Sequence, residues 1–118
     1  MIGIDIVDIS RIEALAAKHG ERFLQRVFTE GEISYARGKR RCSESLAGRF
    51  AAKEAFMKAL GRRLPWRDIE IVRSGGRPFI RYRGKEFVDV SISHERAYAV
   101  AVVTIEKEAK FQIPITKF

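Results

Sequence analysis

The alternation of apolar and polar residues near the start of the chain predicts a β-strand. Residues 2–7, IGIDIV, place three isoleucines on one side of that strand and Asp5, between a glycine and a valine, on the other. A carboxylate in the middle of a strand is costly unless it is solvated, paired or coordinated. Asp5 is therefore either a solvated residue on a polar face or a candidate ligand.

Helix signals follow the strand. Ser10 and Glu13 have the spacing of a capping box, which predicts a first helix that begins near residue 11 and ends at Gly20. A second short helix is predicted to carry Phe23, Leu24 and Val27. Thr29 and Glu32 form another capping box and predict a third helix, which ends before the basic run GKRR.

A longer helix is predicted over residues 44–60, with Ser43 as its cap and Gly61 as its end. Leucine, phenylalanine and methionine recur there at intervals of three and four, and five alanines allow a neighbouring backbone to approach closely. The remaining strands are predicted after this helix, over residues 68–72, 79–83, 87–93 and 98–105, with the last at the centre of a sheet.

This order of elements predicts one α+β domain over residues 1–118, in which antiparallel strands pack on the long central helix. The segment SGGRP at 74–78 predicts a hairpin turn. The tail, residues 107–118, has no clear pattern.

Three charged residues interrupt the apolar helix. Glu54 and Lys58 are four residues apart, so they form either an ordinary surface ion pair or part of a site. Lys53 is expected to cover apolar surface with its stem and to keep its ammonium in water. Asp5 and Glu54 together would offer oxygen ligands to a hard cation such as Mg²⁺, which takes few protein ligands and keeps several waters.

The charge of the chain favours an anionic partner. The chain has 118 residues and a net charge of +8, from 23 Lys and Arg against 15 Asp and Glu. Nucleic acid, a phosphorylated cofactor and an acidic protein all remain possible on this ground. No apolar run reaches the ~18 residues of a membrane span, and the acidic N-terminus differs from a signal peptide, so we expect a cytoplasmic protein without a membrane partner.

The segment SISH, residues 91–94, allows three interpretations. Ser93 and His94 could cap a turn or bind a phosphate at a strand end. A hydrolase triad is the third, but the sequence lacks a G-x-S-x-G elbow and adjacency in sequence is not triad geometry. The basic positions are mostly expected to form a solvated face, although Arg11, Arg22 and Arg26 on the first helices could bind an acidic partner.

Several segments, in this order, resemble the holo-acyl-carrier-protein synthases, the short bacterial 4′-phosphopantetheinyl transferases. They are GIDIVDISRIE, FTEGE, LAGRFAAKEAFMKALG and VSISHERAYAVAVV, and together they extend over about residues 2–105. The resemblance implies the fold of that family and a transfer of 4′-phosphopantetheine from coenzyme A to a serine of apo acyl carrier protein. The reaction would need Mg²⁺, release adenosine 3′,5′-bisphosphate and serve fatty acid biosynthesis.

The resemblance also implies roles for particular residues. Asp5 and Glu54 would hold the metal, and Lys58 would join them as a catalytic residue that contacts a phosphate. These roles would explain why Glu54 and Lys58 are expected to be buried in an apolar helix. Coenzyme A would bind Arg49, Phe50, Lys58, Gly76, Arg77, Pro78, Ser93 and His94, and the acidic carrier protein would bind Arg11, Arg22 and Arg26. The base is left open between Glu54 and a water on the metal. Relatives of this kind imply a homotrimer whose active sites are shared between subunits.

Two other functions stay open on the residues alone. A small nucleic-acid-binding module would explain the charge and the GKRR run, but the strands lack the interleaved aromatic and basic residues of a stacking surface. An inactive trimeric scaffold would not need Asp5, Glu54 and Lys58.

Overall fold

The computed structural model describes residues 1–106 and contains six strands and four α-helices within them. Their bounds in chain order are β1 (Ile2–Asp8), α1 (Ile9–His19), α2 (Glu21–Val27), α3 (Glu30–Arg37), α4 (Cys42–Leu60), β2 (Ile69–Ser74), β3 (Arg77–Tyr82), β4 (Lys85–Phe87), β5 (Val90–His94) and β6 (Tyr98–Thr104). A short 3₁₀ helix, Trp66–Asp68, precedes β2. The expectation for the tail, residues 107–118, lies outside the described residues.

The strands form two three-stranded antiparallel sheets. The first has the order β1-β6-β5 and the second the order β2-β3-β4. The predicted central position of β6 is therefore confirmed, as is the α+β class. Helix α4 packs against β1 and β6 on one side and reaches the second sheet through Phe56, whose ring meets the rings of Tyr82 and Phe87.

The single strand predicted over 87–93 is wrong. The chain pairs with β3 up to Phe87 and with β6 from Val90 onward, so residues 88 and 89 carry it from one sheet to the other. Sequence alternation continues through this crossing because both halves are half-buried strands, and alternation alone does not reveal a change of sheet.

Two of the four predicted helix starts differ from the structure. Asp8, not Ser10, caps α1, because its carboxylate accepts from the backbone N–H of Ser10 at 2.9 Å. Helix α4 begins at Cys42 without a side-chain cap, so the predicted cap at Ser43 is wrong.

The capping box of α3 is confirmed, with Thr29 and Glu32 each accepting from the other's backbone N–H. Gly61 ends α4 as predicted, with φ of 78° in the left-handed region that glycine adopts without strain.

Strand β1 lies very close to α4 because Gly3 has no side chain. A Cβ at this position would lie 1.8 Å from the carbonyl oxygen of Ala55 and 2.7 Å from the backbone nitrogen of Ala59. Alanines on the facing side of α4 therefore allow the backbones to approach, as the sequence predicted. This contact places Asp5, two residues further along the same side of β1, beside α4.

The other side of β1 is apolar and open. Ile2, Ile4 and Ile6 are 69, 57 and 64% exposed. Their partners on β6 are Thr104, Val102 and Val100, which therefore share this face. We call this surface, made of the three isoleucines with Val100 and Val102, the isoleucine face. A row of exposed branched residues on a sheet is unusual for a surface that meets only water.

Candidate functional site

The structure brings Asp5 and Glu54 to one surface. Lys58 Nζ donates to Asp5 Oδ1 at 3.0 Å and to the carbonyl oxygen of Ile4 at 3.1 Å. Glu54 precedes Lys58 by four residues, so the two side chains are neighbours on α4. Glu54 Oε1 accepts from Arg63 Nη1 at 2.7 Å. Each acid of the predicted metal pair thus has its own basic partner, and the predicted Glu54–Lys58 surface pair is replaced by these two contacts.

The side chains differ in burial from what the apolar helix led us to expect. Asp5 and Glu54 are 16 and 20% exposed, whereas Lys58 is 54% exposed. The sequence suggested that Lys58 would be buried with Glu54, and that expectation is wrong. Both carboxylates are partly exposed, so a hard cation bound there could keep most of its water.

Lys53 is the buried charged residue of this helix. Its side chain is fully buried, and its Nζ lies 2.7 Å from Glu32 Oε1, whose side chain is also fully buried. The expectation that its ammonium would stay in water is therefore wrong. Burial lowers the pKa of Lys53, although the charge and hydrogen bond of Glu32 oppose this change.

Within residues 1–106 there is no group of three or more His, Cys, Asp and Glu side chains arranged to hold a metal ion. Asp5 and Glu54 both carry carboxylate oxygens, which is the ligand type that Mg²⁺ prefers.

A strongly basic pocket of about 380 Å³ lies between α3, α4, the first sheet and β2. Six of its residues carry or can carry positive charge, and we call it the basic pocket. It is lined by Tyr35, Lys39, Arg40, Arg41, Glu44, Ser45, Gly48, Arg49, Arg73, Ile92 and His94. The GKRR run was expected to belong mainly to a solvated face, and its residues are exposed. Three of them, Lys39, Arg40 and Arg41, also line this pocket.

Arg49 is the most buried cation of the basic pocket, at 4% exposure. Its Nη1 donates to Ser45 Oγ at 2.9 Å and its guanidinium lies over the ring of Tyr35 at 4.2 Å. Its Nε has no hydrogen-bond partner among the described residues. Burial lowers the pKa of Arg49, and the charge of Glu32 opposes this change. A buried guanidinium with unused donor capacity is suited to a phosphate.

The electrostatics of the pocket also act on Tyr35. Burial raises the pKa of its phenol, but the hydrogen bond and charge of Lys39, with the charges of Arg49 and Arg73, outweigh burial. The pKa of Tyr35 therefore lies below its ordinary value of 10.0. The pocket stabilises negative charge even on a group that is normally neutral.

One other predicted coenzyme A contact, His94, lines the basic pocket, with Nδ1 3.6 Å from Glu44 Oε1. Ser93 precedes it on β5 and pairs with Val100, so its side chain lies on the side of the sheet that carries the isoleucine face, away from the pocket. Arg73, another lining residue, donates to the carbonyl oxygen of Gly76 at 3.0 Å. This contact connects the pocket to the predicted hairpin turn, which is confirmed at Gly75 and Gly76 with their positive φ angles. Arg77 and Pro78, which were predicted to belong to the turn, are the first residues of β3.

The three predicted carrier-protein arginines also come together. Arg11, Arg22 and Arg26 line a second depression of about 690 Å³ with Leu15, His19, Phe23, Gln25, Val27, Phe50 and Trp66. We call it the arginine groove. Phe50, which the resemblance assigned to coenzyme A, lies here instead of with Arg49. Its ring stacks on Trp66 at 5.0 Å and carries Arg11 at 5.6 Å.

The predicted site residues thus occupy three places on one chain. Asp5, Glu54 and Lys58 line neither the basic pocket nor the arginine groove. Sequence reasoning missed Arg73 and Tyr35 in the pocket and Arg63 beside Glu54. Arg73 lies in β2, one residue beyond the predicted end of that strand, and no local pattern indicates what its side chain faces.

None of the helices within residues 1–106 combines the length and the apolar character needed to cross a membrane.

Comparison with known proteins identifies the family of this chain. The family model of the 4′-phosphopantetheinyl transferase superfamily matches residues 1–103. The holo-[acyl-carrier-protein] synthase of Thermus thermophilus is 40% identical over an alignment that is 118 residues long with its gaps. The alignment covers 92% of this chain and 94% of that protein.

Solved structures give the same result. The holo-[acyl-carrier-protein] synthase of Helicobacter pylori in complex with coenzyme A has a TM-score of 0.80 and 36% identity, covering 90% of this chain and all of that one. The Bacillus anthracis enzyme in complex with CoA (3′,5′-ADP) has a TM-score of 0.76 and 39% identity, covering 86% of this chain and 91% of that one. The chain therefore belongs to the 4′-phosphopantetheinyl transferase superfamily and, within it, to the holo-[acyl-carrier-protein] synthases.

Proposed function

We propose that this chain transfers the 4′-phosphopantetheine group of coenzyme A to a serine of apo acyl carrier protein, with Mg²⁺, and releases adenosine 3′,5′-bisphosphate. The serine oxygen would bond to the phosphorus that carries the pantetheine arm. The pyrophosphate P–O bond would break, and the bridging oxygen would leave with the bisphosphate. The observation that carries this proposal is the basic pocket, since relatives with this fold bind coenzyme A.

The phosphorylated adenosine end of coenzyme A is assigned to the basic pocket. Arg49 and His94 offer donors to a phosphate oxygen there, and Lys39, Arg40, Arg41 and Arg73 add positive charge. The segment of Gly76, Arg77 and Pro78, which Arg73 ties to the pocket, is the candidate contact for the adenine. Phe50 lies outside this pocket and lines the arginine groove, so we do not assign it to coenzyme A.

Asp5 and Glu54 are the proposed ligands of the metal, and their oxygens fit it. A divalent cation held there supplies positive charge next to the pyrophosphate, which phosphoryl transfer needs more than covalent help. Lys58, whose ammonium already lies at Asp5, is placed to contact a phosphate oxygen as negative charge develops. Glu54 is the base that this chain offers to the serine hydroxyl, because its carboxylate is partly exposed on the same surface.

The arginine groove is the proposed surface for the acidic carrier protein. Three exposed arginines surround an apolar floor that includes Phe50 and Trp66, so charge would steer the partner and apolar contacts would hold it. This role also explains why α1 and α2, which bury little of their own surface, carry basic residues on one side.

We further propose that the chain acts as a homotrimer that shares its active sites. The isoleucine face is apolar and exposed in one chain, and a second copy is the occupant that would cover it. The separation of Asp5 and Glu54 from the basic pocket within one chain supports this assignment, because a neighbouring copy could bring the missing half. Covering exposed branched side chains is favourable by ~25 cal/mol per Å² of apolar surface.

The test is to incubate the protein with coenzyme A, Mg²⁺ and apo acyl carrier protein and then to weigh the carrier. A gain of one phosphopantetheine group supports the proposed reaction, and a carrier whose acceptor serine is changed to alanine should gain nothing. Retention of RNA or DNA without any gain in carrier mass would favour the nucleic-acid-binding alternative.

A further inference from the structure

The fully buried ammonium of Lys53 joins parts of the chain that are distant in sequence. Its Nζ donates to the carbonyl oxygen of Val27 at 2.7 Å and to that of Trp66 at 3.1 Å, and it lies 2.7 Å from Glu32 Oε1. These three contacts use all the donors that an ammonium has.

Glu32 is itself held from two sides. Its Oε1 accepts from the backbone N–H of Thr29 at 2.9 Å, and its Oε2 accepts from the backbone N–H of Ile71 at 2.7 Å. The pair therefore connects α4 to the end of α2, the start of α3, the 3₁₀ helix and β2. Neither member lines the basic pocket or the arginine groove.

Two of the groups held by Lys53 form the arginine groove. Val27 ends α2, the helix that carries Arg22 and Arg26, and Trp66 lies in the 3₁₀ helix. Because one nitrogen binds both carbonyl oxygens, a single ammonium connects the end of α2 to the 3₁₀ helix and constrains their separation. Trp66 in turn stacks on Phe50, which carries Arg11.

Stability alone does not require a charged pair here. Replacing a buried ion pair by apolar residues of similar volume is often neutral or stabilising, because both charges must be removed from water. An apolar residue at position 53 could fill the space, but it could not donate to Val27 and Trp66. What the lysine supplies beyond packing is the fixed position of these two carbonyl groups.

We propose that Lys53 is a positioning residue for carrier-protein recognition, which sets the arginine groove from beneath by holding Val27 and Trp66. It touches neither coenzyme A nor the carrier. This inference rests on the proposed function, in which the groove receives the carrier protein.

The test compares KM values for apo acyl carrier protein and for coenzyme A in the double variant Lys53→Met/Glu32→Gln. Changing both partners avoids an unpaired buried charge. We expect the KM for the carrier to rise about tenfold, as for loss of one or two hydrogen bonds that shape a binding surface, with less than about a twofold change for coenzyme A. Emission from Trp66, the single tryptophan of the chain, should shift to longer wavelength as its surroundings loosen.

The matched control is Ile80→Ala, which opens a cavity at a fully buried position of β3, in the second sheet. It should lower thermal stability and leave the ratio of the two KM values unchanged. A similar change of ratio in Ile80→Ala, or an unchanged ratio in the double variant, would overturn the inference.

Lys53→Arg covers the case in which the double variant does not fold. It keeps a cation beside Glu32 but changes the position of the donors, so the KM for the carrier should still rise selectively, and an unchanged ratio would refute the proposal. If the wild-type protein modifies the carrier and the variants have the same ratio of the two KM values as the wild type, this inference alone is wrong. Wild-type protein that modifies no carrier would end the proposed function, and this inference with it.

Discussion

The ammonium of Lys58 lies 3.0 Å from the carboxylate of Asp5, and this contact joins helix α4 to strand β1 at the candidate metal site. Glu54 lies one turn earlier on α4, and its carboxylate accepts from Arg63 Nη1 at 2.7 Å, beyond the end of the helix. Each of the two acids is thus paired with a basic side chain at a partly exposed position. Such a surface can exchange its internal ion pairs for contacts with a cation and a polyanion without a large change in net charge.

Asp5→Asn and Glu54→Gln should each lower kcat/KM by about 100-fold or more, because each removes a carboxylate proposed to hold a cation that neutralises the pyrophosphate. The activity that remains should depend only weakly on Mg²⁺ concentration. Asp8→Asn is the matched control, since it removes a carboxylate from the same strand but keeps a side chain that caps α1. Near-normal rates with unchanged Mg²⁺ dependence would contradict the metal assignment.

Arg49→Ala should weaken coenzyme A binding by about 10- to 100-fold, the effect of losing a charge-assisted hydrogen bond to a phosphate. The same change should have little effect on binding of dephospho-coenzyme A, which lacks the 3′-phosphate. Calorimetric titration with both ligands measures the difference. If Arg49→Ala weakened both ligands equally, the 3′-phosphate would not lie at this guanidinium.

Arg22→Glu and Arg26→Glu should raise the KM for acyl carrier protein and leave the KM for coenzyme A nearly unchanged. The effect should shrink as the salt concentration rises from about 0.05 to about 0.5 M. Higher salt shortens the screening length, which weakens the attraction between exposed charges. Lys85→Glu on β4 makes the same change in net charge away from the groove and serves as the control. Equal effects of all three variants would indicate a general effect of charge.

Ile2→Asp should convert the proposed trimer into monomers, which light scattering after size exclusion would detect, because a carboxylate cannot be buried in an apolar interface without a partner. Transfer activity should fall together with the mass of the assembly. Ala17→Asp, which adds a charge on an exposed position of α1, should leave the assembly intact. Trimers of normal mass formed by Ile2→Asp would show that the isoleucine face is not the interface.

Gly3→Ala should destabilise the fold, because its Cβ would collide with the backbone of Ala55 at 1.8 Å. Overpacking of this kind costs ~1–3 kcal/mol, which corresponds to a fall in Tm of roughly 5–20 °C for a domain of this size. Gly38→Ala, whose Cβ would meet its nearest atom at an ordinary 3.5 Å, should change Tm little. Equal Tm values for the two variants would contradict the close approach of β1 and α4.

The sequence predicted elements well where a local signal and the tertiary fold agree. Thr29 and Glu32 cap α3 as their spacing indicates, and Gly61 ends α4. The predicted cap at Ser10 was wrong, because Asp8 is an equally good cap two residues earlier and local spacing does not choose between the two residues.

The site was predicted only in part for a similar reason. Asp5 and Glu54 belong to recognisable motifs, and the structure brings them to one surface. Lys53 lies in the same motif, but its burial depends on Glu32, twenty-one residues earlier, and on two carbonyl groups from other elements. No periodicity within a helix reports contacts of that range.

The missing side chain at position 3 also fixes the alignment of two elements. A slip of β1 along α4 by two residues would bring Met1 or Asp5 to the point where only a hydrogen atom fits, and a slip by one would bring an isoleucine there. Gly3 therefore allows only one register of β1 against α4. The position of Asp5 along the helix axis, relative to Glu54 and Lys58, thus depends on the absence of a Cβ atom at residue 3.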